Sequence, residues 1–354
     1  MTPLRGGRTA LSTTAPRAES RLTLARRLTQ YCRDRLGLDR SVLVALRRSN
    51  PAKSHLVSIS RQQDRIGLGC PDWMLAERPN EFVHRLCAVL AIVAGAPLDR
   101  LRLVADISDG EDSGSGLTSF CSRDRGAVLI PDHMFVRTRG YEEHRHLARA
   151  NITEWDARSD RIVWRGQTTG AGTVSKTHLS VDDADLLPRV RLCLALKDTP
   201  GTDVKLSTVS QSSDNRLHAD RLSEAGILGE YVSPLTWHGL KFAIDIDGNT
   251  NAWSNLYTRL VMGCCVLKVT SAHGYRQWYY DDMEPWIHYV PVQADLSDLR
   301  DRIAWCRAHL GECRRIAAEG QAFAMARDFD TEMAAAAGRV CDAYQRETLR
   351  LSVD

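Results

Sequence analysis

The chain has 354 residues, 43% of them hydrophobic and 26% charged, the balance of a soluble globular protein with room for two domains. A formal net charge of +3 is too small to argue for a nucleic-acid partner or an anionic membrane. The longest nearly uncharged apolar run, residues 86–98, falls short of the roughly 20 residues that span a bilayer, and Pro97 closes it.

In chain order, the first residues carry Arg5, Arg8, Arg17, Arg21, Arg26 and Arg27 with no apolar core between them. They read as a tail running into a helix rather than as a secretory signal. Helices are expected over 21–35 and 81–94, the second taking in the apolar run as a buried end. Strands are expected at 55–60, 102–107 and 127–130, and residues 109–116 read as a polar loop. A domain break is expected near 151–160. Beyond it, strands are expected at 161–164, 204–208, 242–246, 266–269 and 289–292, with helices at 184–196, 252–262 and 296–308. The alanine-rich tail from Thr331 reads as helical. Strands and helices alternating in this way predict two successive α/β units, their sheets parallel and covered on both faces. The ten cysteines form no C-x-x-C pair. Several, such as Cys87, Cys193, Cys264 and Cys265, lie in apolar runs and read as reduced core thiols.

Four segments carry groups capable of chemistry. Residues 161–173, RIVWRGQTTGAGT, read as a strand ending at Trp164, a Gly/Thr-rich loop and a helix opening after it. Glycines let the backbone approach a ligand closely, and free N–H groups at a helix start favour phosphate oxygens. Arg165 adds a fork-shaped positive charge suited to a diphosphate. The same residues also make an ordinary strand-to-helix turn. Overlapping them, residues 170–177 read GAGTVSKT, a P-loop spacing with Ser175 where the second glycine belongs. That leaves an NTPase or kinase built on Lys176 as the competing reading.

In residues 241–267 a strand runs into Asp247, Gly248 and Asn249 before a helix near Ala252. Asn249, Asn251 and Ser254 are hydrogen-bonding groups where parallel α/β sheets bind ligands, and are equally ordinary turn and capping residues. Residues 275–292 gather Trp278, Tyr279, Tyr280, Trp286 and Tyr289, which suit stacking on a sugar or base as well as core packing. His288 reads as structural, and the spacing of Glu142, Glu143, His133, His144 and His146 does not make a zinc site. The acidic group Asp106, Asp109, Glu111 and Asp112 follows a strand. There a carboxylate facing a cleft can take a proton from a hydroxyl, although a solvated acidic loop fits the same pattern.

Taken together and in order, IVWRGQTTG, IDIDGNTNAWSNLYTRLVMGCCVLKV, QWYYDDMEPWIHYVPVQADLSDL and IAAEGQAFA resemble glycosyltransferase family 90, the capsule-associated and protein O-glucosyl/O-xylosyltransferases. The resemblance is strongest from Asp160 to about Ala324. The bacterial polysaccharide- or lipopolysaccharide-modifying type looks closest, because DGNTNAWS replaces the pattern of the animal protein-glucosylating members. In the first half the family's strand ending in a catalytic aspartate aligns on LRLVADISD and falls on Asp109, with Ser108 where an arginine is common; Glu111 and Asp112 are the substitutes.

The resemblance implies a GT-B architecture, two Rossmann-like domains facing a cleft. The acceptor domain would occupy residues 1–155 and the donor domain 156–330, with a final helix over 331–354 crossing back. It implies an inverting transfer of glucose or xylose from a UDP-sugar to a glycan or lipid-linked glycan hydroxyl in cell-surface polysaccharide synthesis. No cofactor or metal is expected, and the place is the cytoplasm or the inner face of the membrane by peripheral contact. Asp109 would act as base. Arg165, Gly166, Gln167, Thr168, Thr169, Asp247, Gly248, Asn249, Asn251, Trp253 and Ser254 would hold the donor. A nucleotide-sugar-binding protein without turnover is the further alternative.

Overall fold

The computed structural model describes residues 21–36, 43–48, 54–71, 73–74, 79–110, 114–150, 153–212 and 214–353. In its first part α1 (Arg21–Leu36) precedes β1 (Leu43–Arg48), β2 (Leu56–Gln62) and β3 (Arg65–Cys70). Then follow α2 (Pro79–Gly95), β4 (Arg100–Asp106), β5 (Thr118–Ser119) and β6 (Val128–Leu129). The strands pair in the order β1-β3-β2-β4-β5-β6. The expected parallel pairing holds for β1–β3, β4–β5 and β5–β6, whereas β2 runs antiparallel to both its neighbours. The cause is local. Only Gln63 and Asp64 join β2 to β3, and so short a link closes a hairpin but cannot make a crossover. Gln63 takes the positive φ of 51° that such a turn requires.

The apolar run of the sequence becomes the middle of α2. Leu86 to Val93 are all buried, in one core with Val57, Ile59, Leu68 and Leu101 of the sheet. A helix so placed has no wet face, which is why its sequence shows no polar stripe.

Two short helices that close the first part, α3 (His133–Arg137) and α4 (Glu142–Ala150), lead from the first sheet to the second part. That part runs through β7 (Ser159–Gln167), α5 (Pro188–Leu196), β8 (Thr202–Thr208), α6 (Asn215–Glu224) and β9 (Leu240–Asp245). After α7 (Ser254–Val261) come β10 (Cys265–Val269) and β11 (Val290–Val292), then α8 (Leu299–Ala308), α9 (Leu310–Ala326) and α10 (Phe329–Val353). The sheet order is β11-β10-β9-β7-β8 and every pairing is parallel. All residues of β9 and β10 are buried, the signature of strands covered on both faces.

The last helix returns to the first core, where Ala336, Ala337, Val340 and Cys341 are buried. Two α/β domains sharing a cleft, with the final helix packed back on the first, make a GT-B architecture. The nine cysteines described are buried and free. Among the described residues no helix is long and apolar enough to cross a membrane.

Candidate active site at the interdomain cleft

In the second sheet the chain order reverses between β7 and β9, and in open α/β sheets the crevice beyond the carboxyl ends of two such strands is where ligands bind. The two loops that sequence reasoning singled out both emerge there. A Cβ on Gly166 would lie 2.4 Å from the Trp164 ring, so only glycine lets β7 continue past the tryptophan. At Gly170, φ is +130°, and its N–H donates to Asn249 Oδ1 at 3.0 Å, tying the two loops together. A Cβ on Gly248 would meet Thr169 Oγ1 at 2.6 Å, so the strand ends touch backbone to side chain. Gln167 is exposed, while Thr168 is buried and exchanges hydrogen bonds with Ser210, donating to its carbonyl at 2.9 Å and accepting from its N–H at 2.8 Å.

Arg189, which sequence reasoning missed, braces this junction from α5. Its Nε donates to the Asp247 carbonyl (2.9 Å), Nη2 to the Ile246 carbonyl (3.1 Å) and Nη1 to Thr169 Oγ1 (2.7 Å). Burial pushes its pKa down to about 10, which still leaves it charged at neutral pH. Asp247 is the odd member of the group. Both its carboxylate oxygens are buried without a hydrogen-bond partner. Burial pushes its pKa up to about 6 against the pull of Lys268.

Across the cleft, β4 ends in a tight turn. Asp106 Oδ1 accepts from the Ser108 N–H (2.8 Å), and Ser108 Oγ accepts from the Gly110 N–H (2.9 Å). Gly110 has φ +105°, and a Cβ there would lie 2.6 Å from the Cys121 carbonyl oxygen. This turn presents Asp109, whose side chain is 26% exposed. Its Oδ1 receives Arg85 Nη2 at 2.7 Å, while Arg85 Nη1 donates to the Ile107 carbonyl at 2.7 Å. The Asp109 carbonyl accepts a hydrogen bond from the Thr250 hydroxyl of the other domain.

Asn251 Oδ1 accepts from the Trp253 N–H just before α7 opens at Ser254. The Trp253 ring reaches over to the first domain, 5.2 Å from the His133 ring and 5.5 Å from the Arg85 guanidinium. It is therefore a domain contact rather than a wall of the β7/β9 crevice. Burial, with Arg85 and Arg137 nearby, pushes His133 down to about 3, so this neighbour is neutral. Two further links close the cleft. Ser122 and Arg276 pair main chain to main chain at 3.1 and 3.0 Å, and Gln277 Nε2 donates to Asp132 Oδ2 at 3.0 Å.

Three expectations change. Arg165 does not face the crevice. Its Nη2 is paired with Asp203 Oδ1 at 2.9 Å, Nη1 donates to the Asp203 carbonyl and Nε to the Glu230 carbonyl, because alternation along β7 puts Arg165 on the same sheet face as Val163, whose partner on β8 is Asp203. No helix opens after the Gly/Thr loop. Residues 170–187 stay irregular apart from a Thr173–Leu186 bridge, and α5 starts at Pro188, which disfavours helix at the residue before it. Lys176 is held by Asp183 (2.8 Å) and Asp185 (3.0 Å) in that loop, so the P-loop reading fails for want of both a helix start and a free lysine.

Glu111 and Asp112 lie outside the described residues. The aromatic group divides, with Trp278 and Tyr279 packing on Tyr257 between the domains and Trp286 on Trp305. His288 Nδ1 accepts from the Glu284 N–H within a turn. Of the residues sequence reasoning missed, only Arg85 left a trace, as an arginine at the head of the apolar run 86–98, where a buried charge must find a partner. Among the described residues no group of three or more His, Cys, Asp or Glu side chains is placed to hold a metal.

Comparisons with known proteins place the chain in a family. The profile of Glycosyl transferase family 90 matches residues 117–333, more than half the chain, starting beyond Asp109 and running through both loops of the crevice. An uncharacterized protein, 035R, of Invertebrate iridescent virus 3 is 34% identical over 180 residues, 49% of this chain and 15% of that protein. Protein O-glucosyltransferase 2 of Danio rerio is 36% identical over 99 residues, 28% of this chain and 19% of that protein. The human Protein O-glucosyltransferase 3 is 39% identical over 89 residues, 25% of this chain and 16% of that protein. The chain thus spans less than a fifth of the length of these relatives.

Likeness to solved structures is slight. A glycosyltransferase from Rickettsia africae covers 96% of this chain and 84% of its own at 10% identity and a TM-score of 0.40. Anabaena Alr3699/HepE in complex with UDP-glucose covers 59% and 53% at 11% identity and a TM-score of 0.33. By the extent of the profile match, the chain belongs to glycosyl transferase family 90.

Proposed function

We propose that the chain transfers a sugar from a UDP-sugar to an acceptor hydroxyl, inverting the anomeric centre and using no bound metal. The observation that carries the reading is the hydrogen bond from Thr250 to the Asp109 carbonyl. It sets a partly exposed carboxylate of one domain against the ligand-binding loop of the other.

In this reading Asp109 is the base. Its Oδ1 is engaged by Arg85, and Oδ2, which takes no hydrogen bond among the described residues, receives the acceptor proton. The acceptor oxygen attacks the anomeric carbon as the bond to the UDP oxygen breaks on the opposite side. Charge gathering on the leaving diphosphate is met by the first turn of α7, with the Gly166 to Thr169 strand end and Gly248, Asn249 and Asn251 shaping the loops beside it. Arg165, engaged by Asp203, takes no part, and Arg189 serves by holding the loops rigid.

The relatives named protein O-glucosyltransferases favour glucose as the sugar, with xylose next. The acceptor is a hydroxyl of a cell-surface polysaccharide or lipopolysaccharide, glycosylated on the cytoplasmic side of the membrane. The test is a panel of UDP-sugars without added metal, read by thermal stabilisation and by UDP release. Stabilisation by one UDP-sugar with slow UDP release supports transfer. Binding without any release, under all acceptors tried, points to a nucleotide-sugar-binding protein, and no response to any of them removes the reading.

A further inference from the structure

Three stretches of chain that are distant in sequence meet around a second pocket, of about 440 Å³. Arg125 stands on it just before β6, Arg276 and Trp278 come from the segment between β10 and β11, and Arg339 and Arg346 come from α10. None of the residues 166–169 or 247–254, which shape the β7/β9 crevice, lines it.

Four arginines and no lysine face two carboxylates there, Asp281 and Asp342, so the wall carries a surplus of two positive charges. Asp281 is shared between Arg125, at 3.1 Å, and Arg276. Arg346 is exposed and makes no ion pair with a described residue, although Asp342 stands one turn before it on the same helix.

Hydrogen bonding points the same way. Arg276 Nε, Trp278 Nε1 and Arg339 Nη2 are all buried without a hydrogen-bond partner. At 9% and 8% exposure, Arg276 and Trp278 are closed off from bulk solvent. The other two nitrogens of Arg276 are in use, Nη1 by Asp281 and Nη2 by the Asp124 carbonyl at 3.1 Å. Arg339 is engaged among the described residues only through Nε, which donates to the Leu129 carbonyl at 3.1 Å. All three unanswered groups donate and none can accept. Buried donors without acceptors are costly, and three around one pocket call for a ligand rich in acceptor oxygens.

We infer that this pocket binds a phosphate monoester about the size of a sugar phosphate, at a site separate from the crevice proposed for the nucleotide. The inference goes beyond the transfer reaction and does not depend on it. Charge decides the headgroup. A phosphate monoester carries about −1.5 to −2 at neutral pH, which matches the surplus, whereas a carboxylate answers about half of it. Guanidinium forks meet phosphate oxygens through paired N–H bonds, the setting in which arginine outdoes lysine. Volume decides the rest. A bare phosphate leaves most of the pocket unfilled, and 440 Å³ lies within the roughly 300–1,000 Å³ of small-molecule sites. The Trp278 N–H then serves a hydroxyl of the attached group. Because the arginines come from the first domain, the second domain and the returning helix, a bound phosphate ties all three together.

The test measures melting temperature and calorimetric affinity of the full chain with inorganic phosphate, glucose 6-phosphate and glucuronate, each with and without excess UDP. Wild type is compared with Arg339→Gln and Arg346→Gln. Glucose 6-phosphate is expected to raise the melting temperature and to bind more tightly than phosphate, with glucuronate at least about 10-fold weaker. UDP should leave that affinity within about two-fold, and each variant should lose about 10-fold or more of it. Arg346 is exposed, so its replacement leaves the core alone, and a wild-type melting temperature without ligand shows that it has folded.

Wild-type affinity for glucose 6-phosphate in the folded variants overturns the site, and so does failure of the wild type to bind any of the three probes. Loss of glucose 6-phosphate binding once UDP is added puts the anion in the nucleotide crevice and overturns it as well. Glucuronate binding as tight as that of glucose 6-phosphate rejects the phosphate monoester as the ligand class.

Discussion

Two carboxylates at the cleft have opposite surroundings. Asp109 is partly exposed and held by Arg85 through one oxygen, an arrangement that fixes its direction while leaving the second oxygen to accept a proton. Asp109→Asn keeps the shape and the Arg85 contact but removes the proton acceptor. Turnover should fall by roughly 10²-fold or more with donor affinity nearly intact. Wild-type turnover in that variant would take Asp109 out of the chemistry.

Burial pushes the Asp247 carboxyl up to about 6, above the ordinary carboxylate range of about 4, against the pull of Lys268 and Ser271. A carboxyl whose folded pKa is raised holds its proton more tightly when folded. Its contribution to stability is therefore greatest below the unfolded pKa and is lost as pH climbs from about 4 to about 6. Asp247→Asn removes that loss, so the variant should be more stable than wild type at pH 7 by about 1–3 kcal/mol, with the gap closing toward pH 4. Denaturant melts at the two pH values would show it. A variant less stable at pH 7 would mean that the carboxylate is answered in the free protein.

At the scale of elements, the second domain was legible because its strands are short, largely apolar and separated by helices; β9 (LKFAID) and β10 (CVLKV) are buried throughout and mainly apolar, with only Lys241, Asp245 and Lys268 breaking the pattern. The first domain was harder. β1 and β3 were not foreseen, and β3, RIGLGC, carries two glycines that weaken its strand signal. The hairpin that makes β2 antiparallel turns on Gln63 and Asp64, which lack the Asn-Gly or Asp-Gly signature of a two-residue turn. The crevice loops could be found from glycines and polar residues after strands. The direction of Arg165 could not, because it depends on which neighbour lies beside β7, and Asp203 is 38 residues away along the chain.

Glycine 166 shows how closely the loop is specified. The Trp164 ring that a new Cβ would strike is 3% exposed and packed in the second core, so it cannot swing aside. Gly166→Ala should cost about 1–3 kcal/mol in denaturant unfolding and weaken UDP stabilisation by displacing the residues that follow. A neutral effect would show that β7 bends at its register shift to make room.

At the scale of the molecule, the question is how the two domains are held in register for a reaction that needs groups from both. The links include a shared buried cluster in which Phe135 and Tyr141 pack on Tyr257, and Trp253 is the most unusual of them. It stands at φ 48° and ψ −121°, a backbone conformation that bulky L-residues avoid, and it lodges its ring against His133 and Arg85 of the opposite domain. Strain of this kind persists only where surrounding contacts compensate it.

Two substitutions separate those terms. Trp253→Ala removes the ring and keeps the strained backbone, whereas Trp253→Gly removes the ring and relieves the strain. Both should lose turnover more than donor affinity, since the β7/β9 loops remain while the register with Asp109 loosens. The glycine variant should be more stable than the alanine variant by about 1 kcal/mol, even though glycine ordinarily loses to alanine through chain entropy. If alanine proves the more stable of the two, the positive φ stores no strain and the ring alone sets the domain contact. If both keep full turnover, the cleft is aligned by the Ser122–Arg276 and Asp132–Gln277 links without it.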